Sequence, residues 1–186
     1  MNLKTIFLWG LIFSLVLSGL LGIIIFLFAD FNALEVKILF STLDVGACSL
    51  AGLCCSTILN TKFKIFSILG IMISGLCMAA LLYTIWNYEK IEHYDMLLSL
   101  VVLTATCAHI SLILLTKTST QTTIFVLWAT VIFISTVGGM LLLLIWRSEQ
   151  GDFFYRLLGV FGILDVLGTI ITPILGKSQK YEDVLE

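Results

Sequence analysis

The sequence predicts an all-α, polytopic membrane protein, with six transmembrane helices arranged as three tandem antiparallel hairpins. Three observations carry that prediction. Of the 186 residues, 60% are hydrophobic and only 12% are charged, against roughly 25% charged in a soluble domain. The apolar residues fall in continuous runs long enough to cross a bilayer. The charges fall between the runs. Ten Lys/Arg and twelve Asp/Glu are too few to coat a water-facing surface of this size. An ordinary soluble enzyme, a disordered chain and a nucleic-acid binder are excluded, the last because no basic patch exists.

A helix crossing the hydrocarbon core needs about 20 mostly apolar residues. Six stretches meet that length: Thr5–Phe28, Ile38–Leu59, Ile65–Ile85, Met96–Leu115, Thr122–Ile145 and Leu157–Leu175. They are continuous rather than alternating, which disfavours membrane strands. The first run exceeds a signal-peptide core and ends at Phe28-Ala29-Asp30 without a small-residue cleavage site, so it reads as a retained helix. No connection exceeds eleven residues. Residues 1–186 are therefore expected to form a single transmembrane domain, without a soluble domain or a catalytic loop of useful size. Short connections make sequential helices antiparallel neighbours.

The basic residues suggest an orientation. Lys4, Lys62, Lys64, Lys117, Lys177 and Lys180 lie on the side of the termini. Lys37, Lys90, Arg147 and Arg156 lie on the other, outnumbered there by Asp30, Glu35, Glu89, Glu92, Asp95, Glu149 and Asp152. By the positive-inside rule both termini are expected in the cytoplasm, as in a bacterial inner-membrane protein with an acidic outer face. Trp86, Tyr88, Tyr94, Trp146, Phe153, Phe154 and Tyr155 gather at the outer boundary as an interfacial aromatic belt.

Self-comparison shows a period near sixty. Trp86 and Trp146 each close an odd-numbered span, and Lys37, Met96 and Arg156 stand at the openings of the even ones. Fixed-period similarity is the signature of repeats, here three hairpins inserted the same way up. A second register aligns the run Phe40–Val45 with Phe161–Val166, which superposes Asp44 on Asp165. Inverted-repeat transporters, whose halves have opposite topology, are disfavoured. The runs Arg156–Thr169 and Ala105–Leu114 resemble small, uncharacterised six-span bacterial membrane proteins. That resemblance covers mainly the second and third hairpins, implies a prokaryotic origin, and brings no activity with it.

Polar residues inside the spans are the candidate sites. Asp165 lies nine residues past Arg156, about 13 Å down the helix axis and near the bilayer midplane. A carboxylate there costs at least about 2.5–3.5 kcal/mol on insertion scales. Gly162, Asp165, Thr169, Thr172 and Gly176 share one helical stripe, and Pro173 is expected to be tolerated because Thr169 or Thr172 can satisfy the carbonyl it frees. No Lys or Arg lies deep in any span. Asp165 is therefore expected to be neutral and hydrogen-bonded, with Ser135 or Thr136 on the preceding helix as its partner. One reading is a proton or cation relay; the other is a polar group that fixes helix packing.

Asp44 is shallower, about 10 Å in, and shares a polar face with Ser41, Cys48 and Cys55. It reads either as a carboxyl bonded within its own hairpin or as part of an ion site shared with Asp165. His109 is the only histidine within a span. Bis-histidine haem is excluded within one chain, since His93 lies in an outer loop about 24 Å away. A packing histidine bonded to a neighbouring helix stands against a single axial ligand for haem or a pigment; no cofactor is otherwise expected. The loop Glu89–Asp95 fits no zinc or EF-hand spacing. The cysteines Cys48, Cys54, Cys55, Cys77 and Cys107 lie in apolar runs without a C-x-x-C pair, as small core residues. Small residues recur four apart at Ser14, Ser18 and Gly22 and at Gly70 and Ser74, spacing that lets helices approach closely in lipid.

No nucleophile–base arrangement is found, so the chain is expected not to be an enzyme. The leading expectation is an accessory or scaffold subunit of a membrane complex or homo-oligomer. The alternative is a small channel or proton-coupled transporter using Asp165, with Asp44, Thr169 and Ser135 beside it. A pigment- or haem-binding redox subunit using His109 is the third. The expected partners are the lipid bilayer and other membrane subunits or copies of the chain, and no nucleic acid.

Overall fold

The computed structural model describes residues 3–28, 32–87, 94–116, 120–147 and 150–185. These form α1 (Leu3–Phe28), α2 (Ala33–Ser56), α3 (Lys64–Trp86), α4 (Tyr94–Leu114), α5 (Gln121–Trp146) and α6 (Asp152–Leu185), with no strand among them. Five of these helices are long and apolar enough to cross a membrane: α2, α3, α4, α5 and the stretch Asp152–Gly176 of α6. Six were expected. The remaining one coincides with α1, whose 26 residues have the length but whose side chains fall partly outside the described residues.

Two helix ends differ from expectation for local reasons. α2 starts five residues before Ile38 because Asn32 caps it. The Asn32 carboxamide oxygen accepts from the Leu34 and Glu35 amides at 3.1 Å each, and the Glu35 carboxylate accepts from the Asn32 amide at 3.2 Å. This reciprocal box satisfies amides that have no intrahelical partner. α6 runs through Pro173 to Leu185 instead of stopping at Leu175. Proline deprives the Thr169 carbonyl of its donor, and the expected compensation by hydroxyls is not what they do. Thr172 donates to the Gly168 carbonyl and Thr169 to Asp165.

The chain forms two compact units, residues 1–104 and 105–186, with the division inside α4. In the first, α2 packs against both α1 and α3. The Ser67 hydroxyl donates to the Cys55 carbonyl at 2.6 Å and Ser74 donates to the Cys48 carbonyl at 2.8 Å. Seven residues forward on α3 thus match seven backward on α2, which makes the pair antiparallel and in register over two turns. Apart from Asp44, the buried residues of these helices are small: Gly46, Cys48, Ser49, Gly52, Cys55 and Ser56 on α2, and Ser67, Gly70, Ser74 and Cys77 on α3. Large apolar side chains point outward, with Ile65 77% exposed and Met72 65%. Small residues inside and large apolar ones outside is the packing lipid imposes, because hydrocarbon does not drive leucines together. The protein is an integral membrane protein.

The expected row on α3, Gly70 and Ser74, is buried as the spacing implied. On α1 the close approach is elsewhere. A Cβ at Gly10 would sit 3.1 Å from Ser49 Oγ, whereas one at Gly22 would meet nothing within 4 Å. Ser14 and Ser18 have side chains outside the described residues.

In the second unit α5 packs against α6. A Cβ at Gly168 would collide with Thr130, reaching 2.9 Å from its Cγ2, and one at Gly138 would lie 2.7 Å from Thr106 Oγ1. These glycines admit a threonine of the neighbouring helix. Thr130 and Thr172 are buried and their hydroxyl oxygens lie 3.2 Å apart. Phe133 and Phe161 meet with ring centroids 6.2 Å apart.

Candidate functional site

The second unit brings His109, which the sequence left in a separate reading, to the polar stripe it placed on α6. Asp165, Thr169 and Thr172 follow one another on one face of α6. Thr172 is buried and the first two are half-buried, while Ile163, Val166, Leu167, Ile170 and Ile174 are exposed. The stripe read from 100° spacing is therefore the inward face of α6. Along it, Thr169 Oγ1 donates to Asp165 Oδ1 over a long 3.4 Å. From α4, His109 Nε2 lies 2.9 Å from the same hydroxyl oxygen. The result is a continuous chain from carboxyl to hydroxyl to imidazole.

A hydroxyl both donates and accepts, so this chain has two complementary states. In one, the Nε2–H of His109 donates to Thr169 and Thr169 donates to an ionised Asp165. In the other, a protonated Asp165 donates to Thr169 and Thr169 donates to a bare Nε2, the ring keeping its proton on Nδ1. When His109 starts as the imidazolium, moving between them transfers one proton from Nε2 to the threonine oxygen and one from that hydroxyl to Asp165. The imidazolium–carboxylate pair becomes a neutral imidazole and a carboxylic acid. The hydroxyl ends as it began, and the total charge is unchanged. The step needs no net charge brought into hydrocarbon, where an added ion is costly.

The partners expected for Asp165 are not the ones it has. Ser135 is exposed and donates to the Val131 carbonyl, and Thr136 donates to the Ile132 carbonyl, both at 2.8 Å. Mid-helix hydroxyls commonly return to the carbonyl four residues back, and depth alone does not reveal which way they face. Ser135 is therefore not part of the site. His109 does bond to a neighbouring helix, as its packing reading proposed. The missed signal was the period. His109 and Thr169 are sixty residues apart, the displacement expected for the repeat, and each lies thirteen residues past the expected opening of its span, Met96 and Arg156. On helices running the same way, equivalent positions sit at equal depth.

Asp44, in the first unit, is buried with Cys48 and Cys55 on one face of α2, as the sequence indicated. Its Oδ1 accepts from the Cys48 thiol at 3.3 Å. Ser41, on the same side, donates to the Lys37 carbonyl and accepts from Trp86 Nε1 at 3.2 Å. All five cysteines are free thiols. Among the described residues no group of three His, Cys, Asp or Glu side chains could hold a metal ion. Of the expected loop Glu89–Asp95, residues 89–93 lie outside the described residues. Comparison with family models, curated proteins and solved structures finds no match.

Proposed function

We propose that this integral membrane protein is a non-enzymatic, proton-conducting or proton-coupled carrier in which Asp165, Thr169 and His109 hold the transferred proton. The observation that supports this reading is the unbroken chain from Asp165 Oδ1 through Thr169 Oγ1 to His109 Nε2. An isolated intramembrane acid serves packing as well as transport; an acid wired to an imidazole through a hydroxyl has both a donor and an acceptor of protons. In this reading α1 is the sixth span. The chain sits in a bacterial cytoplasmic membrane with both termini inside, as the distribution of basic residues suggests. The test is proton uptake into liposomes holding the purified chain and a pH-sensitive dye. Uptake by the wild type that is lost in Thr169→Val and Asp165→Asn supports the reading, and equal uptake in all three refutes it.

The second reading is an accessory or scaffold subunit, and it rests on the helix surfaces. A Cβ at Gly75 or Gly159, both exposed, would meet nothing within 4 Å. Small residues open to lipid leave room for another helix to approach closely. Recovery in a stoichiometric complex from native membranes, unaltered by Asp165→Asn, favours that role. A pigment or haem subunit would instead show a visible absorption band that disappears in His109→Ala.

A further inference from the structure

We propose that Asp44 is a second proton-binding site, independent of the Asp165 chain: a neutral carboxylic acid in the packing of α2, with its proton on Oδ2. Asp44 is only 7% exposed. Its Oδ1 takes the Cys48 thiol, but its Oδ2 is sealed from solvent and has no hydrogen-bond partner among the described residues. A carboxylate left in this state inside hydrocarbon would be half-satisfied and fully charged, which burial strongly disfavours.

On α2 and α3, hydroxyls within one turn of Asp44 and Cys48 are already directed to carbonyls: Ser74 to Cys48 and Ser41 to Lys37. Lys37 stands seven residues earlier on α2, about 10 Å along the axis, and no cation reaches Oδ2 among the described residues. A proton is the smallest species that removes the charge, and it requires no further room.

The repeat supports the same assignment independently. Asp44 and Cys48 align with Asp165 and Thr169 in the register that superposes Phe40–Val45 on Phe161–Val166. In both copies the residue four positions on turns its donor to Oδ1 of the acid. The arrangement is thus one device used twice, with a thiol in the first copy and a hydroxyl in the second. Among the described residues the partner of Asp44 is the Cys48 thiol and not an imidazole, so the first copy binds a proton without the relay attached to the other.

Infrared difference spectroscopy on the full chain in lipid tests this. Wild type minus Asp44→Asn is expected to show a carboxylic-acid carbonyl band that moves to lower frequency in deuterium oxide and persists in Asp165→Asn. Carboxylate stretching bands in its place, with sodium bound or without it, overturn the proposal. If Asp44→Asn does not fold, the wild type is treated with dicyclohexylcarbodiimide and the adduct mapped by mass spectrometry. The acid proton passes to a carbodiimide nitrogen, the carboxyl oxygen bonds to the central carbon, and acyl migration gives a stable N-acylurea with no leaving group. An adduct on Asp44 supports the proposal, and in that case its absence overturns it. Neither readout depends on proton transport, so the Asp165 reading can fail while this one stands.

Discussion

His109 Nε2 and Thr169 Oγ1 lie 2.9 Å apart although sixty residues separate them along the chain. The contact joins α4 to α6 inside the second unit and links Asp165, through one hydroxyl, to an imidazole.

Removing that hydroxyl isolates the two ends. Thr169→Val keeps the side-chain shape and is expected to lower proton uptake by roughly 100-fold, the size of a typical positioned acid–base group. Thr169→Ser restores the oxygen and should retain most of the activity. Dye-reported uptake into proteoliposomes measures both.

Changing the imidazole separates transfer from packing. His109→Gln can still hydrogen-bond Thr169 but cannot shuttle a proton. Thermal unfolding in detergent is expected to change by no more than the roughly 0.6 kcal/mol of an interhelical bond, while uptake falls. A merely structural histidine would leave uptake intact.

Gly168 tests the approach of α5 to α6. Its Cβ position is occupied by the Thr130 side chain, so Gly168→Ala should destabilise the unit by about 1–3 kcal/mol through overpacking. Adding Thr130→Ala should recover part of the loss. Denaturation monitored by helical circular dichroism gives the comparison.

The start of α2 depends on one side chain. Asn32→Ala removes the acceptor for the Leu34 and Glu35 amides and is expected to cost about 1 kcal/mol. Hydrogen exchange should show lost protection at those two amides and little change around Ser49, near the middle of the helix.

Several of these features were legible without coordinates. The six apolar runs each correspond to a helix, with five meeting the length and composition of a span. The Asp165–Thr169–Thr172 stripe faces inward, and the Asp44–Cys48–Cys55 face is buried. The α2 cap was also readable, since an Asn three residues before a Glu is a capping pattern, but an apolar-run criterion starts counting only at Ile38. The partner of Asp165 was not readable. Ser135 and Thr136 lie at suitable depth and still return to their own helix.

Composition alone determined the solvent of this chain and its secondary structure, because a backbone in hydrocarbon must satisfy its own hydrogen bonds and continuous apolar runs do so as helices. Tertiary structure alone decided that an imidazole on α4 meets a hydroxyl on α6 and that one oxygen of Asp44 is left unpartnered. In water, the apolar stripe of a helix announces which way it turns. In lipid both the buried and the exposed faces are largely apolar, so helix rotation is set by where glycine, serine and threonine let backbones close together, and only the folded chain shows which polar atoms that brings into reach.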